Sequence, residues 1–177
     1  MSPKAFGEKF ISETPATDPE YVLGRVLEVG VNEVTGDDNK FYIKLLFKVN
    51  NLEGRMAYTV FHGITCMNEH IYRMVRKRTQ KVAVIQDVTT ADNWKLRMTT
   101  LAIMNRKSDT MLQKKMRKFV EKTMNETAAK TDIDDFVTGI ISGVTQHKLR
   151  KAASKVYPLR FAEISKVRVL SAPSSMA

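Results

Sequence analysis

From Tyr21 to Val60, and again from Val82 to Met104, apolar positions recur at every second residue, the period of a half-buried strand. Leu27, Val29 and Val31 begin the pattern, and Thr35-Gly-Asp-Asp-Asn39 breaks it as a turn. Phe41, Ile43, Leu45, Phe47 and Val49 then share one face, with Tyr42, Lys44, Leu46 and Lys48 on the other. That alternation predicts an antiparallel strand with one side in a core. Residues 50–54 turn the chain, and Met56, Tyr58 and Val60 alternate in a third predicted strand. Residues 82–88 read as a fourth strand. In a fifth, Trp94, Leu96, Met98, Thr100, Ala102 and Met104 alternate with Lys95, Arg97 and Thr99.

Elsewhere the apolar period is helical. Ile71, Met74 and Val75 fall on one side of a helix predicted over 71–81, with Arg73, Arg76 and Lys77 opposite, while Arg78 falls back toward the apolar side. Ser108 is placed to cap a helix from Asp109 to about residue 129. Its stripe is Leu112, Met116, Phe119, Val120 and Thr123, and Lys114, Lys115, Arg117, Lys118 and Lys122 are its cations. Thr131 and Asp134 are spaced as a capping box before Ile133, Phe136, Val137 and Ile140, which predict a short buried helix ending at Gly143. A last helix from Thr145 turns Leu149, Ala152, Ala153 and Val156 inward, and Lys148, Arg150, Lys151 and Lys155 outward, until Tyr157-Pro-Leu159 ends it.

Together these elements predict an α+β fold, a small antiparallel β-barrel of about six strands with an inserted helical section and an extended N-terminal arm. Residues 1–20, with Pro3, Pro15 and Pro19, form the arm. Residues 21–107 hold strands one to five and one basic helix, residues 108–159 the helical section, residues 160–170 the closing strand and residues 171–177 a tail. A chain of 177 residues, 43% hydrophobic, suffices for one such core and is short for two ordinary domains.

Charge changes how the helices are understood. Lys and Arg number 29 against 19 Asp and Glu, giving a formal charge of +10 and a pI near 9.7. An excess of that size favours a polyanionic partner. Three amphipathic segments present polar faces that are almost purely basic, with Glu121 as the interruption. Independent solvated faces usually mix signs, placing carboxylates four residues before cations. The repetition therefore points to nucleic acid, and to RNA shape above base sequence, because Lys and Arg on phosphates position a protein without selecting a base. The candidate RNA contacts are Arg73, Arg76, Lys77, Lys81, Lys114, Lys115, Arg117, Lys118, Lys122, Lys148, Arg150, Lys151 and Lys155.

Membrane binding by the same helices is disfavoured, since Thr123, Ala152 and Ala153 suit close packing better than insertion into lipid. No apolar run is long enough to span a bilayer and the N-terminus lacks a secretory segment, so a cytoplasmic protein is expected. The single cysteine, Cys66, fits a reducing compartment.

Catalytic chemistry finds little support in the sequence. His62, Cys66 and His70 are spaced by four, but Gly63 and the expected helix start interrupt a common face, and Cys66 reads as a core residue. Asp132, Asp134 and Asp135 complement a helix N-terminus more simply than they hold a metal. No Gly-rich phosphate loop or nucleophile elbow is present. No catalytic residue, metal or cofactor is expected.

The ordered set Phe6-Gly-Glu, Glu13-Thr-Pro, Gly24-Arg-Val, Phe61-His-Gly63, Met74-Val-Arg-Lys77, Asp87-Val-Thr-Thr90, Lys114-Lys-Met-Arg-Lys118 and Tyr157-Pro-Leu159 resembles the archaeal and eukaryotic small-subunit ribosomal protein family called S-one-e, or S-three-a-e. The similarity runs from about Pro3 to Leu170. It departs at Cys66-Met-Asn-Glu69, where the family commonly reads Leu-Thr-Arg-Asp, so that a familiar basic contact is missing at Asn68. The resemblance implies a β-barrel with helices that serves as a non-catalytic structural constituent of the small subunit. Its expected place is the platform near the mRNA exit, with rRNA, neighbouring small-subunit proteins and mRNA as partners. A free-standing RNA-binding protein and an RNA-processing enzyme are the alternatives.

Overall fold

The computed structural model describes Phe6, Gly7, residues 10–54 and residues 56–173. The beginning of the expected arm and the end of the expected tail lie outside these residues. The chain divides into two compact units, residues 1–65 and residues 66–177.

In the N-terminal unit, strand β1 (Val26–Gly30) leads into a short helix α1 (Val31–Thr35), followed by β2 (Ile43–Glu53) and β3 (Met56–Cys66). β1 runs antiparallel to β2, with Leu27 opposite Phe47 and Val29 opposite Leu45, and β2 neighbours β3. The first strand is shorter than its alternation predicts, because Val31 starts α1 and is buried there beside Val34. Gly36, at φ 77°, closes that helix in the left-handed conformation that glycine adopts without steric cost. Along β2, Ile43, Leu45, Phe47 and Val49 are buried as expected, whereas Phe41 precedes the strand and is exposed. Along β3 burial changes from end to end. Met56 and Tyr58 are exposed, whereas Ile64 and Cys66, in step with them at period two, are buried, and Thr59 is buried from the other face.

The C-terminal unit holds helix α2 (Asn68–Met74), strands β4 (Gln80–Thr89) and β5 (Lys95–Met104), helices α3 (Thr110–Ala128), α4 (Ile133–Ser142) and α5 (Val144–Ala153), and strand β6 (Leu159–Ser171). β5 lies between β4 and β6, antiparallel to both. α3 packs on β4, α5 packs on β6, and α3 and α4 both touch α5. Six strands with these helices make the α+β fold expected. The sheet is not closed into a barrel, however, since β1 and β4 are the ends of the strand order.

Burial in β4 inverts what side-chain polarity suggests. Val82, Val84, Gln86 and Val88 face inward, whereas Ile85 is 71% exposed. The valines fix the period, and Gln86 and Ile85 follow it at a local cost.

Helix starts also differ from their sequence signals. Ser108 does not cap α3; its hydroxyl points to Met104 Sδ, and Asp109 occupies the cap position without a side-chain bond. The Thr131 hydroxyl donates to the Thr127 carbonyl at 3.0 Å, so it is engaged with α3 and does not form a capping box. The first turn of α4 is satisfied instead by Asp92, whose carboxylate accepts from the Ile133 N–H at 3.2 Å across 41 residues of sequence. Asp92 also lies against Asp132, and this charge, followed by their hydrogen bond, raises the Asp132 carboxyl above its ordinary value. A raised acid contributes stability below its unfolded pKa and loses it as pH rises through the folded value. Asp92→Asn keeps an acceptor and removes the repulsion, so its Tm at pH 7 is expected to exceed that of the wild type. Asp92→Ala loses the cap, at a cost of about 1 kcal/mol. Equal melting temperatures for the two variants would show that Asp92 does not cap α4.

Candidate nucleic-acid interface

The formal charge is divided unequally between the units. Residues 1–65 carry seven Lys or Arg against nine Asp or Glu, a net −2. Residues 66–177 carry 22 against 10, a net +12, so the C-terminal unit holds more than the whole excess. All thirteen candidate contacts lie in that unit, and every one of them is exposed.

α3 provides the most ordered array. Met116, Val120, Met124 and Ala128, spaced by four, are fully buried and fix the helix rotation. With the rotation set, Lys114, Lys118 and Lys122 form a row on the opposite side, at a rise of roughly 6 Å per step. Lys115 and Arg117 flank that row. Among the thirteen, only Lys122 has a carboxylate within 4 Å in the described residues, Glu126 at 3.9 Å one turn on. So loose and exposed a pair neutralises little. The row therefore stands open to an anion.

α5 repeats the scheme in shorter form. Leu149 and Ala153 are buried, Lys151 points away from them, and Lys148 and Arg150 lie to either side. Lys155 lies beyond the helix, in a turn where its N–H bonds the Ala152 carbonyl.

The predicted helix over 71–81 is corrected. α2 ends at Met74, and Val75 is already extended. Residues 76–79 form a turn in which the Thr79 hydroxyl accepts from the Arg76 N–H at 3.1 Å and donates to the Arg76 carbonyl at 2.7 Å. Arg78 sits there at φ 72°. Threonine bonding to nearby backbone competes with helix, and β4 then takes over at Gln80. Arg73 remains on the last turn of α2, Arg76 and Lys77 are presented by the turn, and Lys81 belongs to β4. Ile71 and Met74 still anchor the segment as expected.

The Cys66 position belongs to a core. Its side chain is buried, and burial first, then the Glu163 carboxylate, pushes the thiol up to about 12, far from the range of a reactive thiolate. Burial lowers the His70 pKa, with Arg73 adding to the effect. No group of three His, Cys, Asp or Glu among the described residues could hold a metal ion. No helix among them is long and apolar enough to cross a membrane.

Glu163 itself is half-buried and accepts from Gln146 Nε2 at 3.2 Å. Burial raises its carboxyl, against the lowering effect of the hydrogen bonds from Gln146 and the Ile164 backbone. Its stabilising contribution is present below the ordinary Glu pKa and is lost as pH rises through the folded value. Glu163→Gln keeps an acceptor for Gln146 without the buried charge. We expect a higher Tm than the wild type at pH 7, about 2–4 °C for each kcal/mol relieved. The difference should vanish below about pH 4, where the wild-type carboxyl is neutral. Thermal melts at both pH values check this, and a lower Tm at pH 7 would refute it.

Comparison with known proteins places this arrangement among its relatives. Residues 1–173 match the model of the ribosomal S3Ae family. Three relatives are named small ribosomal subunit protein eS1. That of Methanopyrus kandleri is 35% identical over 99% of this chain and 85% of its own length. That of Methanothermobacter thermautotrophicus is 37% identical over 98% of this chain and 89% of its own. That of Sulfolobus acidocaldarius is 35% identical over 97% and 88%. A match of this extent takes in both units and all three basic segments, and the chain belongs to the ribosomal S3Ae family.

Proposed function

We propose that this protein is a structural constituent of the small ribosomal subunit that binds rRNA through its C-terminal unit and supports translation without catalysing a reaction. Its place in the subunit is the platform near the mRNA exit, with neighbouring small-subunit proteins and mRNA as further partners, and it works in the cytoplasm. The observation that carries the proposal is the open Lys114, Lys118 and Lys122 row on a helix whose other side is locked into a core. Rigid mounting matters because cations fixed in place lose little further freedom when phosphates arrive. The relatives' shared name supplies the polyanion, and the charge of the C-terminal unit agrees with it. Arg73, Arg76 and Lys77 add a second group, and Lys148, Arg150, Lys151 and Lys155 a third.

Sedimentation of cell extract tests the proposal. The protein should travel with small subunits at low salt and be released as salt is raised. Exclusive recovery in the free pool would overturn it, and would favour a free-standing RNA-binding protein if the purified chain still bound RNA.

A further inference from the structure

The outer face of the C-terminal unit's sheet carries charge that the basic helices do not account for. Register places Asp87, Arg97 and Arg168 in one row across β4, β5 and β6, and Ile85, Thr99 and Lys166 in the next. Lys95 lies two residues before Arg97 on the same face of β5. Lys95, Arg97 and Arg168 are exposed and Lys166 is half-buried, while Leu96, Met98 and Val167 fill the opposite face. Four cations thus sit within two strands, about 5 Å apart between strands and about 7 Å apart along them.

Arg97 and Arg168 are direct cross-strand partners, and like charges in that position destabilise a sheet. Asp87 relieves only one of them. Its carboxylate accepts from Arg97 Nε at 2.7 Å and from Nη2 at 2.8 Å, which fixes the guanidinium and leaves its other N–H groups free to donate. Among the described residues no carboxylate lies within 4 Å of Lys95, Lys166 or Arg168. The bulky apolar side chain on these two rows is Ile85, which gives lipid little to hold. A basic strip whose two rows hold one bulky apolar side chain fits the phosphates bordering a wide, shallow groove of duplex RNA.

We infer that Lys95, Arg97, Lys166 and Arg168 form a second RNA-binding surface, borne on the sheet and directed at the phosphate backbone of duplex RNA. The inference rests on the rRNA-binding function proposed above. Arg97, oriented by Asp87, presents a fixed fork; the other three supply charge. The Arg97–Arg168 pair then has a role, since a bound phosphate removes the repulsion that the free protein sustains.

Binding of the full chain to purified small-subunit rRNA, measured against salt concentration, tests this. The triple variant K95A/K166A/R168A keeps the Asp87–Arg97 pair. Its log–log salt slope should fall by about 2–3 relative to the wild type, at 0.7–0.9 per lost contact, with an unaltered circular dichroism spectrum. The single variant R168E gives Arg97 a second carboxylate, so it should melt higher in the absence of RNA and yet bind RNA more weakly. That opposition of signs would not arise from damage to the fold. An unchanged slope and affinity in both variants would overturn the inference while leaving rRNA binding by the helices intact. A wild-type protein without salt-dependent rRNA binding would overturn the underlying function instead.

Discussion

Replacing Lys114, Lys115, Lys118 and Lys122 together with Ala is expected to weaken binding to small-subunit rRNA on the order of 10²–10³-fold at 0.1 M salt, with a salt slope reduced by about 3. The size follows from releasing fewer counterions, at 0.7–0.9 per phosphate contact, if all four side chains reach phosphates. Stability should move the other way. The four side chains are exposed, so their removal opens no cavity. Lys114 with Lys118 and Lys118 with Lys122 are like charges spaced by four, each such pair costing a helix about 0.2–0.5 kcal/mol. Ala is also the best helix former. The variant should therefore melt no lower than the wild type while binding far more weakly. Salt titrations of rRNA binding, with melts of the same preparations, separate the two effects. An unchanged slope would show that α3 faces away from RNA.

Much of this could be read from the sequence because the signals were long. β2 and β5 alternate over many residues, and the structure buries the positions expected of them, Ile43 to Val49 and Leu96 to Met104. The α3 stripe is legible for the same reason, and the structure extends it through Met124 and Ala128. Short signals failed where a tertiary partner or a competing local bond intervened. Arg76, Lys77 and Arg78 fit a helical wheel and so predict a longer α2, whereas the Thr79 hydroxyl binds Arg76 and turns the chain. The cap of α4 could not be found nearby, since it comes from Asp92 in the turn between β4 and β5.

The cations of the sheet face were visible as letters but not as a site. Lys95 and Arg97 alternate plainly in β5, yet only register reveals that Arg168 sits across from Arg97 and that Asp87 holds it. A helix displays its basic face within one segment. A sheet assembles one from strands about 70 residues apart, and no local period reports which residues will meet.

Because the cations of α3 act only while their helix is held, a core substitution should affect binding by another route. Met116 is fully buried at the middle of the α3 stripe. Met116→Ala removes its packing and leaves a cavity, at a cost of about 2–5 kcal/mol. Against a total stability of about 5–15 kcal/mol this is a large fraction, and Tm should fall by about 5–20 °C. Below the new transition the folded molecules keep all thirteen cations, so their salt slope should equal that of the wild type while the active fraction falls with temperature. A basic-face variant shows the reverse, an altered slope with a Tm no lower than that of the wild type. If Met116→Ala lowered the slope well below its melting transition, the cations would depend on a local helix geometry that Met116 sets. If it left Tm unchanged, the packing assigned to α3 on β4 would be wrong, and with it the rotation that aligns Lys114, Lys118 and Lys122.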